Sequence, residues 1–137
     1  MEFTSADIGL RAVPTINVSD VDASIAYYRD KLGFKVSWEI PDESGDGRVR
    51  MAGMERSGAE LFIARRWKEE SNFGLHWMVE IDPTDRLNEL YEELQQRGAD
   101  IKQPPTMQSW GWTMLSVVDP DGNVIDFLGD ERDDLQP

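Results

Sequence analysis

The sequence predicts an α+β fold in which two βαβββ modules pair into a mixed sheet around a cleft, with the helices on the outside. Three observations predict it. Shifting the chain by 63 residues lays "VPTINVSDVDASIAYYRDKLG" (13–33) over "HWMVEIDPTDRLNELYEELQQRG" (76–98), so that Ile16 meets Val79, Val18 meets Ile81, Asp22 meets Asp85 and Tyr28 meets Tyr91. Each copy then continues into three strand-like runs. Finally, one such unit cannot cover both faces of its own sheet, so two should pair.

Each copy opens on a short strand whose period of two points Ile16 and Val18, or Val79 and Ile81, to one face and frees the other for a ligand. A helix follows. Ser19 and Asp82 stand where an N-cap acceptor is wanted, and Pro83 suits a first helical position, where no N–H is needed. Ile25, Tyr28 and Leu32 in the first copy, and Leu87, Leu90, Tyr91 and Leu94 in the second, recur at helical spacing and form the core stripe. Gly33 and Gly98 stop the helices. The strand runs are "FKVSWEI", "RVRMAGM" and "AELFIAR" in the first copy and "ADIKQ", "WTMLSVVD" and "NVIDFLG" in the second, with "RSGA" and "DPDGN" as hairpin turns.

The organisation that results is a single domain over 1–137: module one at 11–66, a linker at 67–73, module two at 74–129 and an acidic tail at 130–137. A chain of 137 residues can bury a core without staples, and the absence of cysteine excludes disulfides, thiolate metal sites and cysteine nucleophiles. With 27 acidic against 14 basic residues the formal charge is −13, which argues against nucleic acid or an anionic membrane as partner. The acidic clusters read either as solvated surface or as a field for a basic ligand. No stretch approaches the roughly 20 apolar residues that span a bilayer, and the expectation is a soluble, cytoplasmic protein. Phosphate-cradling glycine loops, dinucleotide fingerprints and nucleophile motifs are missing.

Strand alternation sorts the candidate site. Ile125 and Phe127 should face the helix layer, while Val124, Asp126 and Leu128 face the cleft, joined there by Thr15, Asn17, Ala64, Met78, Trp112, Met114 and Ser116. His76 is the only histidine in the chain. Its open roles are ligand contact, metal ligation or plain structure; those of Asp126 are a polar contact to ligand or to His76, metal ligation, or a neutral substitution. Trp112, with Trp110 beside Gly111, could stack on a planar ligand, and Met78 and Met114 adapt to irregular shapes; the competing reading is that these side chains only fill space. Trp38 could face either side. Glu60 and Glu80 alternate toward the cleft on the strands of Phe62 and His76.

"VSDVDASIAYYRDKLGF" and "WGWTMLSVVDPDGNVIDF" resemble the vicinal oxygen chelate superfamily, which includes glyoxalase I, bleomycin-resistance proteins, fosfomycin-resistance enzymes and extradiol dioxygenases. The likeness covers residues 11–129. In its metal-dependent members, ligands come from the first and last strand of each module; carried over, those positions are Val13, His76, Phe62 and Asp126. Valine and phenylalanine have no lone pairs, and a catalytic divalent site normally takes three protein ligands. The resemblance therefore implies a binding protein similar to bleomycin-resistance proteins, sequestering an aromatic and, given the acidity, cationic small molecule without chemistry. Its ligand set is read as His76, Met78, Trp110, Trp112, Met114, Asp126, Phe62 and Glu60, with no catalytic residue, no cofactor and a homodimeric assembly. Two alternatives stand beside it: a metal-dependent glyoxalase- or dioxygenase-type enzyme with His76 and Asp126 as ligands, and a domain whose cleft is filled by its own side chains.

Overall fold

The eight strands divide into two four-stranded mixed sheets, one to each βαβββ module, in a computed structural model that describes residues 8–66 and 74–130. The linker at 67–73 and the tail beyond Asp130 lie outside the described residues. Module one runs β1 (Thr15–Val18), α1 (Val21–Asp30), β2 (Lys35–Pro41), β3 (Val49–Arg56) and β4 (Ala59–Arg65). Module two repeats the order as β5 (His76–Glu80), α2 (Leu87–Arg97), β6 (Ile101–Met107), β7 (Thr113–Val118) and β8 (Val124–Gly129). Sheet A has the order β1-β4-β3-β2 and sheet B the order β5-β8-β7-β6. In each, the first and last strands of the module pair in parallel and the others antiparallel.

The helices form where the apolar stripes can be buried, and this shifts both starts from the sequence expectation. Asp20, not Ser19, caps α1, its side chain accepting from the Ala23 N–H at 3.1 Å. The Ser19 N–H is instead taken by Asp121 Oδ1, 3.1 Å away in the other module. Helix α2 begins at Leu87, so neither Asp82 nor Pro83 takes part in it, and Arg86 at its N-cap makes no side-chain cap. The polar run 82–86 has nothing to bury, whereas Leu87 and Leu94 are wholly enclosed and supply the free energy that holds the helix. Gly98 ends α2 as expected, at φ 82°, with the Ala99 N–H bonded back to Leu94 O at 3.0 Å. Helix α1 already ends at Lys31, and Gly33 turns the chain with φ 76° two residues later.

One continuous core joins the modules. Ile16, Val18, Leu61 and Ile63 from sheet A meet Ile25 and Tyr28 of α1, and Leu115, Val117, Ile125 and Phe127 from sheet B belong to the same cluster together with Leu87 and Leu94 of α2. The opposite face of each sheet carries no helix among the described residues. Thr15, Asn17 and Trp38 on sheet A, and His76, Met78 and Glu80 on sheet B, are exposed there.

Polar bonds across the seam fix how the modules dock. Tyr28 donates its hydroxyl to Asp119 Oδ2 at 2.9 Å, and Tyr27 donates to Val118 O at 2.8 Å while accepting from the Asp100 N–H. Burial, reinforced at Tyr28 by the charge of Asp119, holds both phenols above their ordinary value, so they remain donors. On the other side of the seam Arg56, at the end of β3, forks onto Glu93 of α2 at 2.7 and 2.8 Å and also reaches Leu32 O at 2.7 Å. Arg97 adds a bond to Asp30 O.

Two outcomes follow from the seam. Tyr28→Phe keeps the ring packing but removes a donor from a buried carboxylate, and should lower unfolding free energy by about 1.5–3 kcal/mol, read as a shifted urea midpoint. Glu93 is held below the ordinary glutamate value, first by the Arg56 fork and then by Arg97 against the cost of burial. A lowered folded-state value means the pair stabilises fully above the ordinary glutamate range and loses this contribution as pH falls through the lowered value. Because both side chains are partly in water, Glu93→Gln should cost only roughly 0.5–1 kcal/mol at pH 7, and the gap to the parent protein should narrow in urea unfolding as pH is taken below the ordinary glutamate range.

Candidate functional site

The open face of sheet B is where the sequence concentrates its unusual chemistry. Parallel pairing of β5 with β8 sets Met78 opposite Asp126, and antiparallel pairing of β7 with β8 sets Ser116 opposite Asp126. Ile125 and Phe127 go to the core, so Asp126 is directed to the other face, as alternation requires. Yet Asp126 is 1% exposed. A carboxylate so enclosed needs partners, and it has two: Ser116 Oγ donates to Oδ1 at 2.5 Å, and His76 Nε2 is hydrogen-bonded to Oδ2. The His76 side chain is 58% exposed, so the unit runs from a buried hydroxyl through a buried carboxylate to an imidazole at the surface.

The order of that chain matters for chemistry. In a nucleophilic relay the histidine bridges hydroxyl and carboxylate; here the carboxylate is the bridge, and the Ser116 proton is given to Asp126. Ser116 is thus an anchor for Asp126, and nucleophilic catalysis gains no support.

Around this unit the face is mostly apolar. Met78 is 58% exposed, Met114 and Leu128 are half-buried, and Glu80 lies at the Leu128 end of β5. Strand β7 begins at Thr113, so Trp112 and Trp110 belong to the connection before it, where the Gln108 N–H bonds to Trp112 O and Gly111 has φ 98°. The His76 ring reaches Asp126, which pairs with Ser116, four positions from Trp112. At about 3.3 Å per residue, a ligand touching both rings would span roughly 13 Å along the strand direction. Trp110 is 52% exposed and Trp112 half-buried.

Phe62 and Glu60 lie on β4 of sheet A, whereas His76 lies on β5 of sheet B. Phe62 meets Trp38 edge-on, ring centroids 5.0 Å apart. This settles the face of Trp38, and the reason is Gly53: a Cβ there would stand 2.2 Å from Trp38 Nε1, so only glycine lets the indole lie across β3 toward Phe62. Sequence reasoning left Trp38 undecided; a glycine in the middle of a strand was the available signal. Glu60 is bonded to Arg11 at 3.1 Å.

The described residues do not bring three metal-ligating side chains together. His76 and Asp126 engage each other, Val13 and Phe62 offer no lone pair, and among the described residues no group of three or more histidine, aspartate or glutamate side chains could hold an ion. A cleft of about 560 Å³ lies elsewhere, at the seam, floored by Phe34, Val79, Ile81, Leu90 and Phe127 and edged by Arg56. None of the eight predicted ligand residues lines it. Its floor is the helix-facing side of β5 and β8, so we regard it as a product of module docking and place the candidate site on the open face.

Comparison with known proteins agrees with this architecture. A bleomycin resistance protein of Geobacillus stearothermophilus is 30% identical over 140 residues, spanning 87% of this chain and 96% of that protein. The protein YraH of Bacillus subtilis is 24% identical, over 80% of this chain and 90% of its own length. Among solved structures, TioX from Micromonospora superposes with a TM-score of 0.73 at 20% identity, covering 89% of this chain and 99% of TioX. A bleomycin-binding protein in complex with bleomycin superposes with a TM-score of 0.70 at 22% identity, covering 90% of this chain and all of that one. Residues 11–127 match the family description itself, and the chain belongs to the glyoxalase/bleomycin resistance protein/dioxygenase superfamily.

Proposed function

We propose that this protein binds and sequesters a small molecule that bears an aromatic group and, in keeping with the acidity of the chain, a positive charge, and that it does so without chemistry. The observation that carries the reading is the His76–Asp126–Ser116 unit: it offers one fixed polar contact on a mostly apolar face and, among the described residues, no group poised to attack or to hold a metal alone. A few placed polar groups among apolar ones is the usual make-up of a ligand site. Its similarity to proteins named for bleomycin resistance supports the same reading. The metal-dependent glyoxalase- or dioxygenase-type enzyme is the second reading, supported by His76 and Asp126 standing in contact at two of the ligand positions.

Bleomycin is the natural first probe. Titration should quench tryptophan fluorescence, Trp112→Ala should weaken binding by about 1–3 kcal/mol if the ligand reaches that end of the sheet, and exhaustive chelation should leave the affinity unchanged. Loss of binding on chelation, with restoration by one added divalent metal, would favour the enzyme.

The reading includes a second copy of the chain. Each sheet leaves one face open, and Met78, Trp38 and Ile40 stand exposed on these faces as apolar surface that a second chain would cover. Pairing sheet B of one chain with sheet A of another would close a cleft and bring Phe62 and Trp38 over His76. Sedimentation at micromolar concentration should return twice the chain mass of 15.6 kDa; a monomer at that concentration would contradict the shared cleft.

A further inference from the structure

The hydrogen bonds of Asp126 specify which nitrogen of His76 carries the proton, and so what kind of ligand atom this face accepts. An ionised carboxylate only accepts hydrogen bonds. Asp126 Oδ1 accepts a hydrogen bond from the Ser116 hydroxyl, and Oδ2 faces His76 Nε2; with Asp126 ionised, that nitrogen is the one that carries the proton. In a neutral imidazole the other nitrogen is a bare acceptor. Nδ1 has no hydrogen-bond partner among the described residues, and the side chain that carries it is 58% exposed.

We infer that His76 is a hydrogen-bond acceptor of fixed tautomer, so that a ligand of this face must bring an N–H or O–H donor to Nδ1, a primary ammonium or amidinium in preference to a neutral group. The preference for positive charge comes from the Asp126 carboxylate one ring away, in surroundings too enclosed to screen it fully. Ser116 is the positioning residue. It sits directly opposite Asp126 in the β7–β8 register and occupies Oδ1, which leaves Oδ2 for the ring. A quaternary ammonium has the same charge but no N–H and cannot make this contact. The inference rests on the proposed use of this face as the ligand site, but the state of His76 itself can be read without any ligand.

The chain has one histidine, so a long-range ¹H–¹⁵N spectrum contains a single imidazole. At about pH 8 the free protein should show a pyrrole-type nitrogen coupled to both ring carbon protons, which is Nε2–H, and a pyridine-type Nδ1. A pyrrole-type Nδ1 with bare Nε2, or two pyrrole-type nitrogens, would overturn the inference. Ser116→Ala should admit a measurable share of the other tautomer, and Ser116→Thr should restore the parent spectrum; a tautomer untouched by Ser116→Ala removes the positioning role. Millimolar phenethylammonium should move the Nδ1 resonance, and its N-trimethyl counterpart should not. Equal responses, or none from the primary ammonium, would overturn the donor requirement. His76→Phe should weaken bleomycin binding about tenfold if that probe binds the parent. Should bleomycin fail to bind while the tautomer and the ammonium response hold, the sequestration reading falls and the acceptor assignment stands.

Discussion

Asp119 is the residue on which the arrangement of the whole molecule turns. It is buried at the β7–β8 connection, and both of its oxygens are used: Oδ1 accepts from the N–H groups of Asp121 and Asn123, Oδ2 from the Asn123 amide and the Tyr28 hydroxyl, all at 2.9 Å. The first three bonds close the turn "DPDGN" in one geometry, with Gly122 at φ 85° completing it. Turn geometry sets hairpin register, and a slip of one residue would send every side chain of β8 to the wrong face. The pairing of Ser116 with Asp126 is one consequence of that register. The fourth bond comes from the other module, so the same carboxylate that shapes the hairpin of module two also seats helix α1 against it.

The two faces of each sheet then have different tasks. On the helix side, burial is close to complete and the side chains are interchangeable in kind: Ile16, Leu61, Ile63, Leu115 and Ile125 contribute through apolar area removed from water. On the open side the residues are individual. Trp38 lies over Gly53 against Phe62 on sheet A, and the imidazole of His76 stands on Asp126 on sheet B. A substitution on the first kind of face is a matter of volume; on the second it changes which polar and aromatic contacts the surface presents.

Asp126 joins the two kinds of environment. Its own charge is enclosed like a core residue, at a desolvation cost that two hydrogen bonds offset, while the partner it holds is more than half in solvent. Such a construction trades flexibility for orientation: an exposed histidine would ordinarily sample several rotamers, and a buried acceptor restricts it to one. The bidentate Arg56–Glu93 pair plays a corresponding role at the seam, where two charged groups fix the approach of elements far apart in sequence.

How much of this could be read from the chain depends on the range of the cause. The period of two in "NVIDFLG" determined by itself that Ile125 and Phe127 are core and that Asp126 is turned away from them, because alternation is a property of the strand alone. The 63-residue repeat likewise determined two βαβββ modules, and Gly98 the end of α2. The N-caps fall at Asp20 rather than Ser19 and at Arg86 rather than Asp82, since cap chemistry is permissive and burial by the other elements chooses among candidates. Only the tertiary structure decided that Trp38 meets Phe62, that the Asp119 carboxylate takes its fourth proton from Tyr28, 91 residues away, and that His76 rests on Asp126 with Ser116 behind it. Each of these depends on strand register and module docking between segments far apart in the chain, and no local propensity encodes a contact whose two halves meet only once the core has formed.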